Sequence, residues 1–239
     1  MFKKTNYEQI KKDLLDLSFG FGAILLYYTA QYFAYIPIEI FNLDINKFSY
    51  TLKTIYLLFF QLITLGLLLL VFKKKIIAQF KDFHKNKKTY FNKYFKYWFL
   101  LLIGMMLSNL IIMLINNGKI ANNEQGIRDI FDKNPLYVYI TGVLIAPFVE
   151  EIVFRLSLHQ IFKTKWLFIT ISGLFFGLAH LIGQTETLMD CLYLIPYSIP
   201  GFIFAYIFIE SKNIFVSISM HIFHNGFFIA LQIFMLLFG

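Results

Sequence analysis

Long apolar stretches separated by short polar ones dominate the chain. Seven of them, at about 17–39, 54–72, 97–116, 136–162, 165–183, 188–209 and 213–238, approach or exceed the roughly 20 residues a helix needs to cross a bilayer. Each is predicted to be a helix, because an isolated strand would leave its backbone groups unsatisfied in lipid. The pattern therefore predicts an all-α, polytopic transmembrane bundle of about seven spans. Gly183, Pro196, Pro200 and Gly201 leave room for an eighth, broken or re-entrant element around 181–200.

The polar segments differ in kind. Residues 1–16 read as a mildly amphipathic lead-in to the first span. The linker 73–96 mixes nine lysines with Phe80, Phe83, Tyr90, Phe91 and Tyr94, the composition of a helix lying among lipid headgroups, and it predicts contact with anionic lipid. Residues 117–135 read as a polar connection. Gln31, Gln61, Ser108 and Asn109, the main polar side chains of the first three spans, are expected to hydrogen-bond between helices. No internal repeat is present, which weighs against a transporter. One membrane domain is expected, with N-terminal spans and the basic linker in 1–135 and a chemistry-bearing core in 136–239.

Composition agrees. Hydrophobic residues make up 58% of the 239 residues and charged ones only 15%, against roughly 25% in soluble domains. The net charge of +8 is concentrated in particular segments. Lys3, Lys4, Lys11, Lys12, the linker lysines, Lys163, Lys165 and Lys212 fall on one side of the alternating topology. Lys47, Lys53, Lys119, Arg128 and Lys133 fall on the other, so the positive-inside rule predicts a cytoplasmic N-terminus. No nucleic-acid recognition motif accompanies the lysines. The apolar stretch after the basic start is too long for a signal-peptide core and is read as the first span. The single cysteine, Cys191, excludes an intrachain disulfide and is read as a packing residue. The excess of lysine over arginine, with abundant Ile, Phe and Asn, suggests AT-rich codons and a bacterial plasma membrane.

Three short patterns break the apolar background. The first is Glu150-Glu151 with Arg155, three charges in one span, where each costs about 2.5–3.5 kcal/mol near the membrane centre. Glu151 and Arg155 are four apart and share a helix face, so they can pair; Glu150 points about 100° away and needs another partner. Pro147 just before them frees the carbonyl of Val143 and is expected to open the helix beside the carboxylates. The second is His180, the one ionisable side chain inside its span beyond the terminal Lys165. The third is His221 with Asn225, again four apart, with His224 between them. Counting about 1.5 Å per residue from the span ends puts Glu150, His180, His221 and Asn225 about 18, 22, 12 and 18 Å deep. Polar groups from three helices thus converge. A purely structural Glu151–Arg155 clamp remains the alternative for the first pattern.

A carboxylate and an imidazole can jointly activate water, while a second imidazole and a carboxamide can donate to a developing oxyanion. That set fits hydrolysis of an acyl bond, most simply a peptide bond. Zinc is the competing reading, since His and Glu are its usual ligands; the absence of His-Glu-x-x-His and the poor ligand character of Asn favour a metal-free site without cofactor.

Glu150-Glu151-x-x-x-Arg155, Phe176-x-x-x-His180 and His221-x-x-x-Asn225, in that order and in membrane helices, resemble the CPBP family of intramembrane protease-like proteins. That family includes the type II CAAX prenyl endopeptidases and bacterial bacteriocin-processing or immunity proteins. The resemblance spans about 136–230. It implies a glutamate-dependent endopeptidase in which Glu150 and His180 activate water, His221 and Asn225 stabilise the oxyanion, and Glu151 and Arg155 hold the site. His224 has no implied role. A membrane-associated peptide such as a leader, bacteriocin or signalling pro-peptide is the expected substrate. A non-proteolytic scaffold or immunity protein on the same fold is the alternative.

Overall fold

The computed structural model describes residues 2–238, with the side chains of 2–6 and 31 excepted, so those of Lys3, Lys4 and Gln31 lie outside the described residues. All regular structure among them is helical: α1 (Phe2–Phe33), α2 (Tyr35–Ile40), α3 (Tyr50–Val71), α4 (Lys73–Tyr94), α5 (Lys96–Ile115), α6 (Asn122–Lys133), α7 (Pro135–Ile161), α8 (Lys165–Ala179), α9 (Leu194–Ser211) and α10 (Ile214–Phe238). Short 3₁₀ turns precede α3 and α9. Five helices, α3, α5, α7, α9 with its preceding turn, and α10, are long and apolar enough to cross a membrane, and α8 is a shorter apolar helix. The chain is an integral membrane protein with the expected all-α bundle.

Several boundaries differ from the sequence reading. Residues 2–16 of the lead-in and 17–33 of the first expected span form the single helix α1, because no Gly or Pro interrupts the helix before Gly20. The break comes at Ala34, where Pro37 cannot donate to Phe33 four residues earlier. The polar connection 117–135 contains α6, whose Phe131 is buried. Asn134 then caps α7, accepting from Tyr137 N–H at 3.0 Å. Ser108 bonds within its own helix, to Gly104 and Met105 carbonyls, rather than between helices. The eighth element is a 3₁₀ turn over Leu188–Tyr193, and Cys191 on it is exposed, not packed.

The helix α7 runs through the centre. Ile152, Val153, Phe154, Leu156 and Leu158 are buried against Ala23 of α1, Leu68 of α3, Phe168 and Phe176 of α8, Phe208 of α9 and Ile218 of α10. The α8–α9 contact is closer than side chains normally allow. A Cβ on Gly201 would lie 2.8 Å from the Gly173 Cα and carbonyl oxygen, and Gly173 and Gly177 face Phe202 and Ser198 in the same way. Small residues thus let two apolar helices approach.

The start of α10 is fixed by α4. Asn213, buried, donates to Gln79 O at 2.8 Å and Asp82 Oδ2 at 2.7 Å, and its Oδ1 accepts from Phe215 N–H at 2.9 Å. Gln79 Oε1 accepts from Ile214 N–H at 2.7 Å. Two N–H groups that a helix start leaves without partners are thereby satisfied. Asp82 also accepts from Tyr90 at 2.5 Å. At the other end of α4, Lys75 donates to Gln160 of α7 at 2.8 Å. The basic linker is therefore a strap across one end of the bundle.

Two outcomes follow. Gly201→Ala places a methyl against backbone that cannot yield and should cost about 1–3 kcal/mol in thermal or denaturant unfolding, whereas Gly22→Ala, with nothing within 4 Å, should be neutral or stabilising. Hydrogen bonds from Tyr90 and then Asn213 hold the Asp82 carboxyl below its ordinary value of 3.8. Its contribution to docking the strap is complete above that value and lost as pH falls through the depressed one. Unfolding measured between about pH 2 and 5 should therefore show a wild-type loss that Asp82→Asn lacks.

Candidate active site

The site begins with a local irregularity of α7. Two π-helical stretches, Tyr139–Ile145 and Ile152–Ser157, flank the α-helical turn Ala146–Glu151. In the first, Ala146 N–H reaches back five residues to Thr141 O. The next residue, Pro147, has no N–H. Gly142 O consequently loses both its possible helical donors, and Asn225 Nδ2 of α10 donates to it at 2.8 Å. The open carbonyl is thus that of Gly142, not Val143 as the proline spacing alone predicts, because the π turn shifts the register by one residue. Asn225 enters the site as a tie between α10 and the helix carrying the glutamates.

The adjacent glutamates face different environments. Glu151 is completely buried and pairs with Arg155, Nε to Oε2 at 3.0 Å and Nη2 to Oε1 at 3.3 Å. Arg155, also completely buried, donates through Nη1 to Ser172 Oγ of α8 at 2.6 Å, and Ser172 donates to Phe154 O. Its guanidinium lies 5.3 Å from the Phe176 ring centroid. This confirms the pairing expected from spacing and extends it to a second helix.

Glu150 takes no part in that network. Its side chain keeps 16% exposure, and Oε2 lies 3.6 Å from His221 Nε2, longer than a hydrogen bond. The other face of His221 is held: Nδ1 is 3.1 Å from Glu151 Oε1, and Phe204 stacks on the ring at 4.8 Å between centroids and 26°. An ionised Glu151 can only accept, so it places the hydrogen on Nδ1 and leaves Nε2 toward Glu150. One carboxylate orients the imidazole that its neighbour in sequence faces.

His180 stands differently from expectation. It closes α8, at the turn that Gly183 completes with φ +73°. Its Nδ1 bonds Phe176 O at 2.9 Å and its ring stacks on Tyr197 at 5.1 Å. It is not within hydrogen-bonding distance of Glu150. Phe176 stands between the two imidazoles, 4.7 Å from His180 and 5.7 Å from His221. His224 is buried, packs on Phe204 and Phe228, and has no partner for Nδ1 among the described residues. Among the described residues no three His, Cys, Asp or Glu side chains are grouped to hold a metal ion.

A cavity of about 630 Å³ opens onto Glu150. Its walls come from α7 and from the N-terminal helices: Tyr27 of α1, Tyr35 of α2, and Phe60, Gln61 and Thr64 of α3. Gln61 Oε1 is buried without a hydrogen-bond partner among the described residues. Of these wall residues only Gln61 stood out in the sequence, and there as a group expected to hydrogen-bond between helices. An available signal was the concentration of Tyr and Gln in spans that lack charge. Ser172 was hidden because a lone serine beside Gly173 reads as another small contact residue.

Comparison with known proteins finds likeness in the same part of the chain. Residues 132–227 match the family model described as type II CAAX prenyl endopeptidase Rce1-like, a segment that includes α7 to the middle of α10 and every motif residue above. "Putative membrane peptidase YdiL" of Bacillus subtilis is 31% identical over 48% of this chain and 45% of its own length. "UPF0177 protein YvdC" of Lactococcus lactis is 24% identical over 54% and 48%, and an uncharacterized protein of Mycoplasma capricolum is 34% identical over 52% and 38%. The matches thus span less than half of each relative's length. No solved structure matches the chain significantly. Through residues 132–227, which carry the two glutamates, both imidazoles and the asparagine tie, this chain is similar to the Rce1-like type II CAAX prenyl endopeptidases.

Proposed function

We propose that the chain is an intramembrane endopeptidase that hydrolyses a peptide bond in a membrane-associated peptide, with Glu150 as the group that activates water. The carrying observation is the division between neighbours: Glu151 is consumed by Arg155 and His221, whereas Glu150 has, among the described residues, no ion-pair partner but His221 and borders the cavity. A carboxylate left beside an imidazole at the end of a cavity is suited to general-base work.

In the reaction, Glu150 takes a proton from water, the hydroxide attacks the scissile carbonyl carbon, and the tetrahedral intermediate breaks its C–N bond as the proton passes to the leaving amine. The family likeness pairs Glu150 with His180 and gives His221 and Asn225 the oxyanion. Two contacts support usable donors and acceptors in these roles. The bond of His180 Nδ1 to Phe176 O leaves Nε2 as its free acceptor. Asn225 spends one of its two amide hydrogens on Gly142 and keeps the other. The closest imidazole to Glu150 is nonetheless His221, which favours it as the partner that exchanges a proton with Glu150.

The cavity supports a peptide substrate. Its walls are mostly apolar and aromatic, and the unpartnered Gln61 Oε1 can accept a peptide N–H. A leader peptide, bacteriocin or signalling pro-peptide has that chemistry. The bacterial relatives favour a bacterial plasma membrane, with the lysine-rich end of the bundle cytoplasmic.

Membranes containing wild-type or Glu150→Ala protein, compared by peptide mass spectrometry, test this directly. The variant should accumulate to wild-type level, lose at least about 10²-fold in cleavage rate, and leave one uncleaved peptide in excess. Unchanged processing would overturn the proposal and leave the non-proteolytic scaffold. Cleavage should persist in a strong chelator; its loss, with recovery on adding zinc, would replace the metal-free mechanism.

A further inference from the structure

The strap α4 does more than hold α10. Between them lies a groove of about 380 Å³, separate from the cavity at Glu150. Its rim carries Lys87 and Lys88, its sides Phe83 and Phe91, and its floor the buried Val216 and Met220 of α10. We infer that this groove binds one anionic phospholipid, with the headgroup phosphate on Lys87 and Lys88 and the first acyl carbons against Phe83, Phe91 and Met220.

Charge argues for the headgroup. The strap has eight lysines and one carboxylate, Asp82, and Asp82 is occupied by Tyr90, Asn86 and Asn213. Lys75, at the far end, lies 3.7 Å from Asp16 and bonds Gln160. Lys87 and Lys88 form no ion pair among the described residues. They stand at the end of the bundle where Lys163 and Lys165 also lie, paired there with Asp16 and Glu210. Two unpaired ammonium groups beside an apolar floor suit a ligand that is anionic at one end and hydrocarbon at the other. The neighbouring surface fits a lipid boundary: Ile77, Phe80 and Phe91 on the same helix are 45%, 52% and 52% exposed.

The groove is also adjacent to the candidate site in sequence and in helix. Met220 immediately precedes His221, and α10 is anchored to the strap at Asn213 and Ile214. A lipid seated there would stiffen the turn that presents His221. Binding itself does not depend on the proteolytic reading.

The experiment uses the purified full chain in detergent, with native mass spectrometry after addition of phosphatidylglycerol or phosphatidylcholine. The wild type should retain phosphatidylglycerol at least about 10-fold more than phosphatidylcholine. Lys87→Gln with Lys88→Gln should abolish that preference, while Lys73→Gln with Lys74→Gln, the same charge change on the same helix outside the groove, should keep it. Both variants should unfold at the wild-type temperature without added lipid, which separates lost binding from a lost fold. Equal losses in the two double variants would mean a diffuse charge effect and overturn the site. So would displacement of the lipid by millimolar inorganic phosphate, or absence of any lipid preference in the wild type.

Discussion

A buried carboxylate and guanidinium with no exposure to solvent set the terms for the rest of the molecule. Glu151 and Arg155 cannot be buried separately: removing one partner of such a pair costs about 3–5 kcal/mol, because the other charge remains. Their remaining hydrogen-bonding capacity must also be met. Arg155 meets it on Ser172 of α8, and Glu151 meets it on His221 of α10. The same two residues therefore dock two helices onto α7 and fix which way an imidazole points. The neighbouring glutamate inherits a prearranged partner without being consumed by it.

The helix that carries them has to be irregular to do this. A regular α-helix through Pro147 would leave one orphan carbonyl; the π turn before it changes which one, and Asn225 fills it. The second π turn follows directly after Glu151 and contains Arg155. Irregular backbone is tolerated at membrane depth only where protein or a cavity surrounds it, and here both do. Close glycine contacts between α8 and α9 bring the backing helices near enough for Phe176 and Phe204 to pack on His221. Shape, charge pairing and cavity thus form one arrangement.

Much of this was legible in the sequence, for identifiable reasons. Hydropathy gave the all-helical membrane bundle, and the i, i+4 rule gave the Glu151–Arg155 pair, because both depend on local spacing. The motif order gave the family likeness. Contacts across the chain were harder to read. The bond between His221 and Glu151 joins residues 70 positions apart, and the Gly142–Asn225 tie joins residues 83 apart. Residue counting from helix ends placed His180 beside Glu150, but α8 stops at Ala179, and the side chain turns to its own backbone and Tyr197. The cavity walls were invisible because a Tyr or Gln in an apolar span has no periodic signature. The linker 73–96 read as helical, and α4 fills most of it, while nothing in the spacing marked Asn213 as the residue that anchors α10 to it.

The central claim is that two adjacent glutamates divide structure from chemistry. Thermal unfolding of the purified Glu150→Gln and Glu151→Gln proteins tests it most directly. Glu151→Gln should lose about 3–5 kcal/mol of stability, since Arg155 is left buried beside a neutral group, while Glu150→Gln should stay within about 1 kcal/mol of wild type. Equal destabilisation by both would contradict the division and make Glu150 a second structural charge.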